Sequence, residues 1–180
     1  MREIADIDVL GDAALQQRIA RLSLVVAAAT VLLAVLLCVG LGGEGIDVWW
    51  WVALAAGSLL ALPAHELVHA AAFKLLCPGC RVGFGFQDAF LYTRTDGAVA
   101  GRGRMVVVLA APAVLVSAAL AAAALAAARP VLALLLVGIH LSGCAGDLLM
   151  AAAVLREPRC THVRDTDSGI TLLSDREEAE

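Results

Sequence analysis

His65, Glu66 and His69 stand as His-Glu-Leu-Val-His inside a stretch that is otherwise apolar. Ionisable side chains are rare in such stretches, because removing them from water is costly unless something compensates the charge. A metal ion offers that compensation. On a helix the two histidines fall at i and i+4 on one face, so both imidazoles can converge on one Zn²⁺ while Glu66 reaches its bound water. Zinc lowers the pKa of its water and polarises a scissile carbonyl; Glu66 then acts as catalytic base, taking the water's proton and passing it to the leaving amine.

The elements that must position these groups are set by composition. Of 180 residues, 61% are hydrophobic and 17% charged, with a mean hydropathy of +0.87, against about 25% charged in soluble domains. Four long apolar runs follow one another at 22–43, 48–73, 105–128 and 131–155, the second broken only by His65, Glu66 and His69 and the fourth by His140 and Asp147. Each exceeds the roughly 20 residues needed to cross about 30 Å of hydrocarbon. The expected architecture is an all-α integral membrane protein, one polytopic domain over 1–180 with four transmembrane helices. A segment at 1–21, a tail at 156–180 and a short β-hairpin between the second and third helices are expected on the cytoplasmic side.

Orientation follows from the 13 Lys and Arg residues, since basic loops stay cytoplasmic. Arg2, Arg18 and Arg21 precede the first span; Lys74, Arg81, Arg94, Arg102 and Arg104 fill the central loop; Arg156, Arg159, Arg164 and Arg176 follow the last. Only Arg129 falls on the other side, and the loop Glu44–Asp47 is acidic. Both termini are therefore expected in the cytoplasm of a multi-pass cell-membrane protein. The first span is longer than the apolar region of a cleavable signal and reads as an uncleaved anchor. Ile4, Ile7, Leu10, Leu15 and Ile19 fit either an interfacial helix or a frayed tail.

Depth tests the metal proposal. His65 lies nine residues before Lys74, and Asp147 nine before Arg156, so each sits about 13 Å below the cytoplasmic edge. One ion can thus be held by His65, His69 and Asp147 with a fourth position left for water. Asp147 could instead form a helix–helix hydrogen bond, to Ser117 or to backbone. His140 and Cys144 share its face; His140, about two turns deeper, is a poor direct ligand but a candidate supporting or oxyanion group, or a histidine satisfied by another helix. Cys144, beside Gly143 and Gly146, reads as a small packing residue. Pro63 removes a backbone donor just before His65 and is expected to loosen the helix there, unless it is one of the tolerated membrane prolines.

These residues carry a resemblance. His65–His69 near the cytoplasmic end of a membrane helix, Asp147 closing Ser142-Gly143-Cys144-Ala145-Gly146-Asp147, and a tail with Asp165–Gly169 resemble a family of membrane zincin peptidases that is itself similar to site-2 proteases. The resemblance runs from about Pro63 to Leu173 and implies zinc on His65, His69 and Asp147. Site-2 proteases usually carry their aspartate in an Asn-containing Asp-Gly motif. Here the order is Gly146-Asp147, with His140 in roughly the asparagine's region.

A helical substrate hides its carbonyls, so cleavage needs an extended segment. Val82–Phe86 and Ala89–Thr93 around Gln87-Asp88 read as a hairpin, whose free edge could pair with an unwound substrate or could simply plug the bundle. Cys77-Pro78-Gly79-Cys80 is a single CxxC pair, weak evidence for zinc or redox work, and with Cys38, Cys144 and Cys160 implies no disulfide framework. Gly101–Arg104 reads as a basic anchor, too short to argue for nucleic acid. Ala118–Ala128 reads as close helix packing. His162 and Asp165–Asp167 could bind metal but read more simply as a soluble tail loop, and 175–180 as a solvated end.

The function expected is a zinc-dependent membrane metalloendopeptidase that cuts a membrane-associated or transmembrane protein near the cytoplasmic face, with the bilayer as its other partner. A noncatalytic regulator or scaffold and a metal transporter are the alternatives. Glu66→Gln separates them: a peptidase keeps zinc and loses cleavage, a scaffold keeps its function, and a transporter still moves metal.

Overall fold

The structure is a computed structural model that describes residues 1–87 and 90–175. In chain order its elements are β1 (Arg2–Asp8), α1 (Ala13–Gly40), α2 (Val48–Leu76), β2 (Val82–Gln87), β3 (Phe90–Thr95), β4 (Val99–Gly101), α3 (Arg102–Ala126), α4 (Pro130–Gly143), α5 (Ala145–Arg156), β5 (His162–Thr166) and β6 (Gly169–Ser174).

Capping fixes where the helices begin. The Asp12 carboxylate accepts hydrogen bonds from the N–H groups of Ala14 (2.8 Å) and Leu15 (3.1 Å), so α1 starts at Ala13 although its apolar run starts at Leu22. Asp47 does the same for α2 through the Trp50 N–H (2.8 Å). At the end of α3, Ala128 adopts φ +55°, and the N–H groups of Ala128 and Arg129 return to the Leu125 and Ala124 carbonyls, both at 2.9 Å. That left-handed residue stops the helix, and Pro130 opens α4.

Helices α1, α2 and α3 are each long and apolar enough to cross a membrane. The fourth span differs from the straight helix expected over 131–155. Helices α4 and α5 meet at a 58° bend, centred on Cys144 with φ −79° and ψ 3°. Glycines at 143 and 146 leave little side chain to hold the helix straight there. Helix α2 runs through Pro63 without interruption, so Pro63 is tolerated inside it.

The expectation of an all-α chain also needs correction. Strands β1, β6, β5 and β4 form an antiparallel sheet in that order, and β2 pairs with β3 as a separate hairpin from Val82↔Thr95 to Gln87↔Phe90. The turn at Asp88 and Ala89 lies outside the described residues. The segment holding Ile4 and Ile7 is neither an interfacial helix nor a frayed tail: it is β1, in register with β6 from Arg2↔Ser174 to Asp8↔Gly169. The segment 156–175 is likewise no loose tail, since β5 and β6 pair with each other and β5 pairs with β4. Its His162 contacts Asp175 at 3.1 Å; residues 176–180 lie outside the described residues. One sheet thus joins the N-terminal segment, the central loop and the tail at one end of the bundle.

That sheet shares its core with the helix ends beneath it. Phe73 of α2, Met105 and Val108 of α3, Ala151 and Val154 of α5, and Val163, Ile170 and Leu172 of the sheet bury together. A second cluster at the far end gathers Ala34, Trp50, Ala124, Val131 and Leu136. There Glu44 accepts from the Trp50 indole (2.7 Å) and the Val131 N–H (2.7 Å), and Arg129 reaches the Gly45 carbonyl and Asp47. Helices α1 and α4 approach closely because Gly138 faces Thr30, whose side chain would collide with any Cβ at 138. Elsewhere on α1, α2 and α3, large side chains such as Leu24, Leu32, Leu59, Leu60 and Val114 point outward and stay exposed.

Candidate metal centre

The site forms where α2 passes the bend between α4 and α5. His65 and His69, one turn apart on α2, turn their Nε2 atoms to within 3.1 Å of each other. Asp147 arrives from the first turn of α5, with Oδ2 3.1 Å from His65 Nε2 and 3.5 Å from His69 Nε2. The bend makes this geometry: it ends α4 at Gly143 and starts a new helix whose N-terminus favours the Asp147 charge.

The donor set fits a metal. Ligand atoms around a tetrahedral zinc, with N and O bonds near 2.0–2.1 Å, lie about 3.3–3.4 Å apart, and the three observed separations bracket that value. The His69 Nδ1 donates to the Val108 carbonyl at 3.0 Å, since a carbonyl can only accept. In the neutral ring this leaves Nε2 as a lone pair aimed at Asp147, the orientation a metal ligand needs. Two acceptors facing each other across 3.5 Å call for a cation or a proton between them.

Glu66 points elsewhere in this state. Its Oε2 accepts from the Thr93 N–H at 2.6 Å, and its backbone carbonyl accepts from the Thr93 hydroxyl at 2.8 Å. Two residues along β3, the Thr95 N–H and hydroxyl donate to Asp165 Oδ2 at 3.1 and 2.6 Å. Residues i and i+2 of a strand present their N–H groups to the same edge, so the edge of β3 turned away from β2 is held by two carboxylates. Burial pushes the Asp165 carboxyl above its usual pKa, and the two Thr95 bonds lower it.

His140, placed by sequence about two turns deeper, touches the site directly. Its Nε2 lies 3.3 Å from His65 Nδ1, and its Nδ1 lies 2.9 Å from the Ser117 hydroxyl. Ser117 thus serves His140, not Asp147. Cys144 is fully buried, with Sγ 3.8 Å from His65 Nδ1. The bend shortens the separation along the bundle that a straight helix would impose. Among the described residues, His162, Asp167 and the Cys77/Cys80 pair join no such cluster.

A cavity of about 520 Å³ opens beside these groups. His65, Glu66, His69 and Asp147 line one side; Phe73, Val108, Leu109 and Met150 form an apolar flank, and Asp165–Ile170 with Val9 and Leu10 close the sheet side. Thr93 is the contributor that sequence reasoning did not attach to the site, and Asp165 entered through the tail Asp165–Gly169 that carries the resemblance. The local signal at Thr93 is the two-residue alternation of the hairpin, which says nothing of what its edge will meet.

Residues 58–162 match the family described as "Putative zincin peptidase". The match spans more than half of the chain, includes every group of the cluster, and assigns the protein: it belongs to that family, which points to a zinc metallopeptidase. No curated protein and no solved structure shows a significant match to the chain.

Proposed function

We propose that the protein is an intramembrane zinc metalloendopeptidase that hydrolyses peptide bonds of a membrane-associated or transmembrane protein near the cytoplasmic face. The observation that carries this reading is the meeting of His65 and His69 from α2 with Asp147 from α5, edge lengths 3.1, 3.1 and 3.5 Å, beside Glu66. His65, His69 and Asp147 would hold Zn²⁺, which when bound supplies Lewis acidity to the scissile carbonyl and acidifies water. Glu66 would take a proton from the attacking water and deliver it to the leaving amine, and the apolar flank of the cavity would seat a side chain next to the cut bond. In the one-ion state His65 Nδ1 would donate to His140, which fixes the ring.

Lipid contact is supported by the outward-facing apolar side chains of α1, α2 and α3, which only a bilayer or partner would cover. The excess of basic residues in the segments joined by the sheet supports a cytoplasmic placement of that end, and of both termini. The edge of β3 turned away from β2, held here by Glu66 and Asp165, supports an extended substrate: an unwound segment pairing there would displace Glu66 from the Thr93 N–H and release it toward the water.

The test is cleavage of a transmembrane reporter by the zinc-loaded full chain in lipid nanodiscs, wild type against Glu66→Gln. The variant is expected to bind zinc as wild type does and to lose at least about 100-fold in rate, the lower end of general-base effects. Equal cleavage by Glu66→Gln would remove Glu66 from the chemistry and the peptidase reading with it.

A further inference from the structure

We propose that His65 Nδ1, His140 Nε2 and Cys144 Sγ form a second metal site, next to the first, sharing the His65 ring and selective for a soft ion such as zinc or its cobalt surrogate. It rests on the reading of His65, His69 and Asp147 as the first site. The contact distances are 3.3 Å between the two nitrogens, 3.8 Å from sulfur to His65 Nδ1, and 3.7 and 3.9 Å from sulfur to His140 Nε2 and Nδ1, so the Cys144 side chain must turn from beside the His140 ring toward the Nε2 lone pair to share an ion. Zinc bonds near 2.0–2.1 Å to nitrogen and 2.3 Å to sulfur place such atoms about 3.3 Å and about 3.6 Å apart in a tetrahedron. The 3.3 Å between His65 Nδ1 and His140 Nε2 serves as a long hydrogen bond when only the first site is filled and also matches the spacing of two ligands of one ion.

The surroundings prepare each donor. The Ser117 hydroxyl at 2.9 Å occupies His140 Nδ1 and leaves Nε2 to face the ion, the kind of outer bond that orients ligating imidazoles. His140 and Cys144 stand four residues apart across the end of α4, where one face carries both. Cys144 is fully buried and belongs to no disulfide. Among the described residues its thiol reaches the His140 carbonyl at 3.2 Å and the two imidazoles. The donor sets differ in kind: the first site has a carboxylate, the second a thiolate, which favours softer ions.

Binding at the second site releases two protons when the first is filled, one from the Cys144 thiol and one from His65 Nδ1, whose ring then bridges the two ions as an imidazolate. Loss of that second imidazole proton and repulsion between two cations make the second ion the weaker one, so it fills last.

The experiment is a titration of the metal-depleted full chain in detergent with Co²⁺, reading bound cobalt per chain and the near-ultraviolet thiolate-to-cobalt charge-transfer band. Wild type is expected to take up two ions, the band rising with the second. Cys144→Ser should lose the band and one ion while keeping the first, and Cys144→Ala should do the same; Asp147→Ala should lose the first and keep the band. Saturation at one cobalt without the band, with that ion lost in Asp147→Ala, would overturn the second site and leave the first standing. Retention of both ions and the band in Cys144→Ser would overturn it by placing the thiolate elsewhere. No bound cobalt at all would overturn both. A single cobalt that carries the band and survives Asp147→Ala would uphold this tripod and overturn the first.

Discussion

Thr93 links the hairpin to Glu66 twice, its N–H to the carboxylate and its hydroxyl to the backbone carbonyl. The N–H donates to Glu66 Oε2 and not to β2, so removing it leaves the hairpin's own ladder intact while freeing the edge position that an extended substrate would use. Thr93→Pro removes the N–H and the hydroxyl together and is expected to keep zinc and to lower kcat/KM for a transmembrane reporter at least about tenfold, one hydrogen bond being worth about 1.4 kcal/mol. Unchanged kcat/KM would show that substrate does not pair along β3. At this scale the sequence was informative where spacing along one helix carries the meaning: His65 and His69 are one turn apart on any helix. It was silent on Thr93 and gave Ser117 the wrong partner, Asp147 in place of His140, because their partners sit on other elements, 27 and 23 residues away, and no local pattern encodes such a pairing.

The elements were legible to different degrees for a physical reason. Long apolar runs mark α1, α2 and α3 because a run long and apolar enough to cross a membrane is itself the signal, and the alternation at Val82–Phe86 marks β2. Strand β1 was missed because its partner lies at the far end of the chain, Ile7 opposite Ile170, and seven residues with two isoleucines carry no period of their own. The bend at Cys144 was missed because Gly143 and Gly146 read equally well as close-packing residues. Helix ends away from the sheet are held by a different device, Glu44, whose two oxygens serve the buried Trp50 indole and the first N–H of α4. Glu44→Ala strands both donors and is expected to cost about 1–3 kcal/mol, read as a lowered melting temperature in detergent with zinc binding at the opposite end unchanged. A melting temperature equal to wild type would mean that the loops are joined by Arg129 alone.

Taken as a whole, the molecule is a polar cluster hung between two apolar rods and roofed by a small sheet. The sheet gathers three segments that are far apart in sequence, β1, β4 and the β5–β6 pair, and closes the cavity over His65, Glu66 and Asp147. Asp147 reaches α2 because the helical run from Pro130 to Arg156 breaks at Cys144. The central claim is that one zinc is gripped by His65, His69 and Asp147, and zinc content with chelator competition on the purified full chain tests it most directly. Wild type should hold about one tight zinc per chain, and His69→Ala and Asp147→Ala should each bind at least about 100-fold more weakly, since even loss of a supporting group outside the ligand set costs 10–100-fold. Full wild-type affinity in Asp147→Ala would contradict the account.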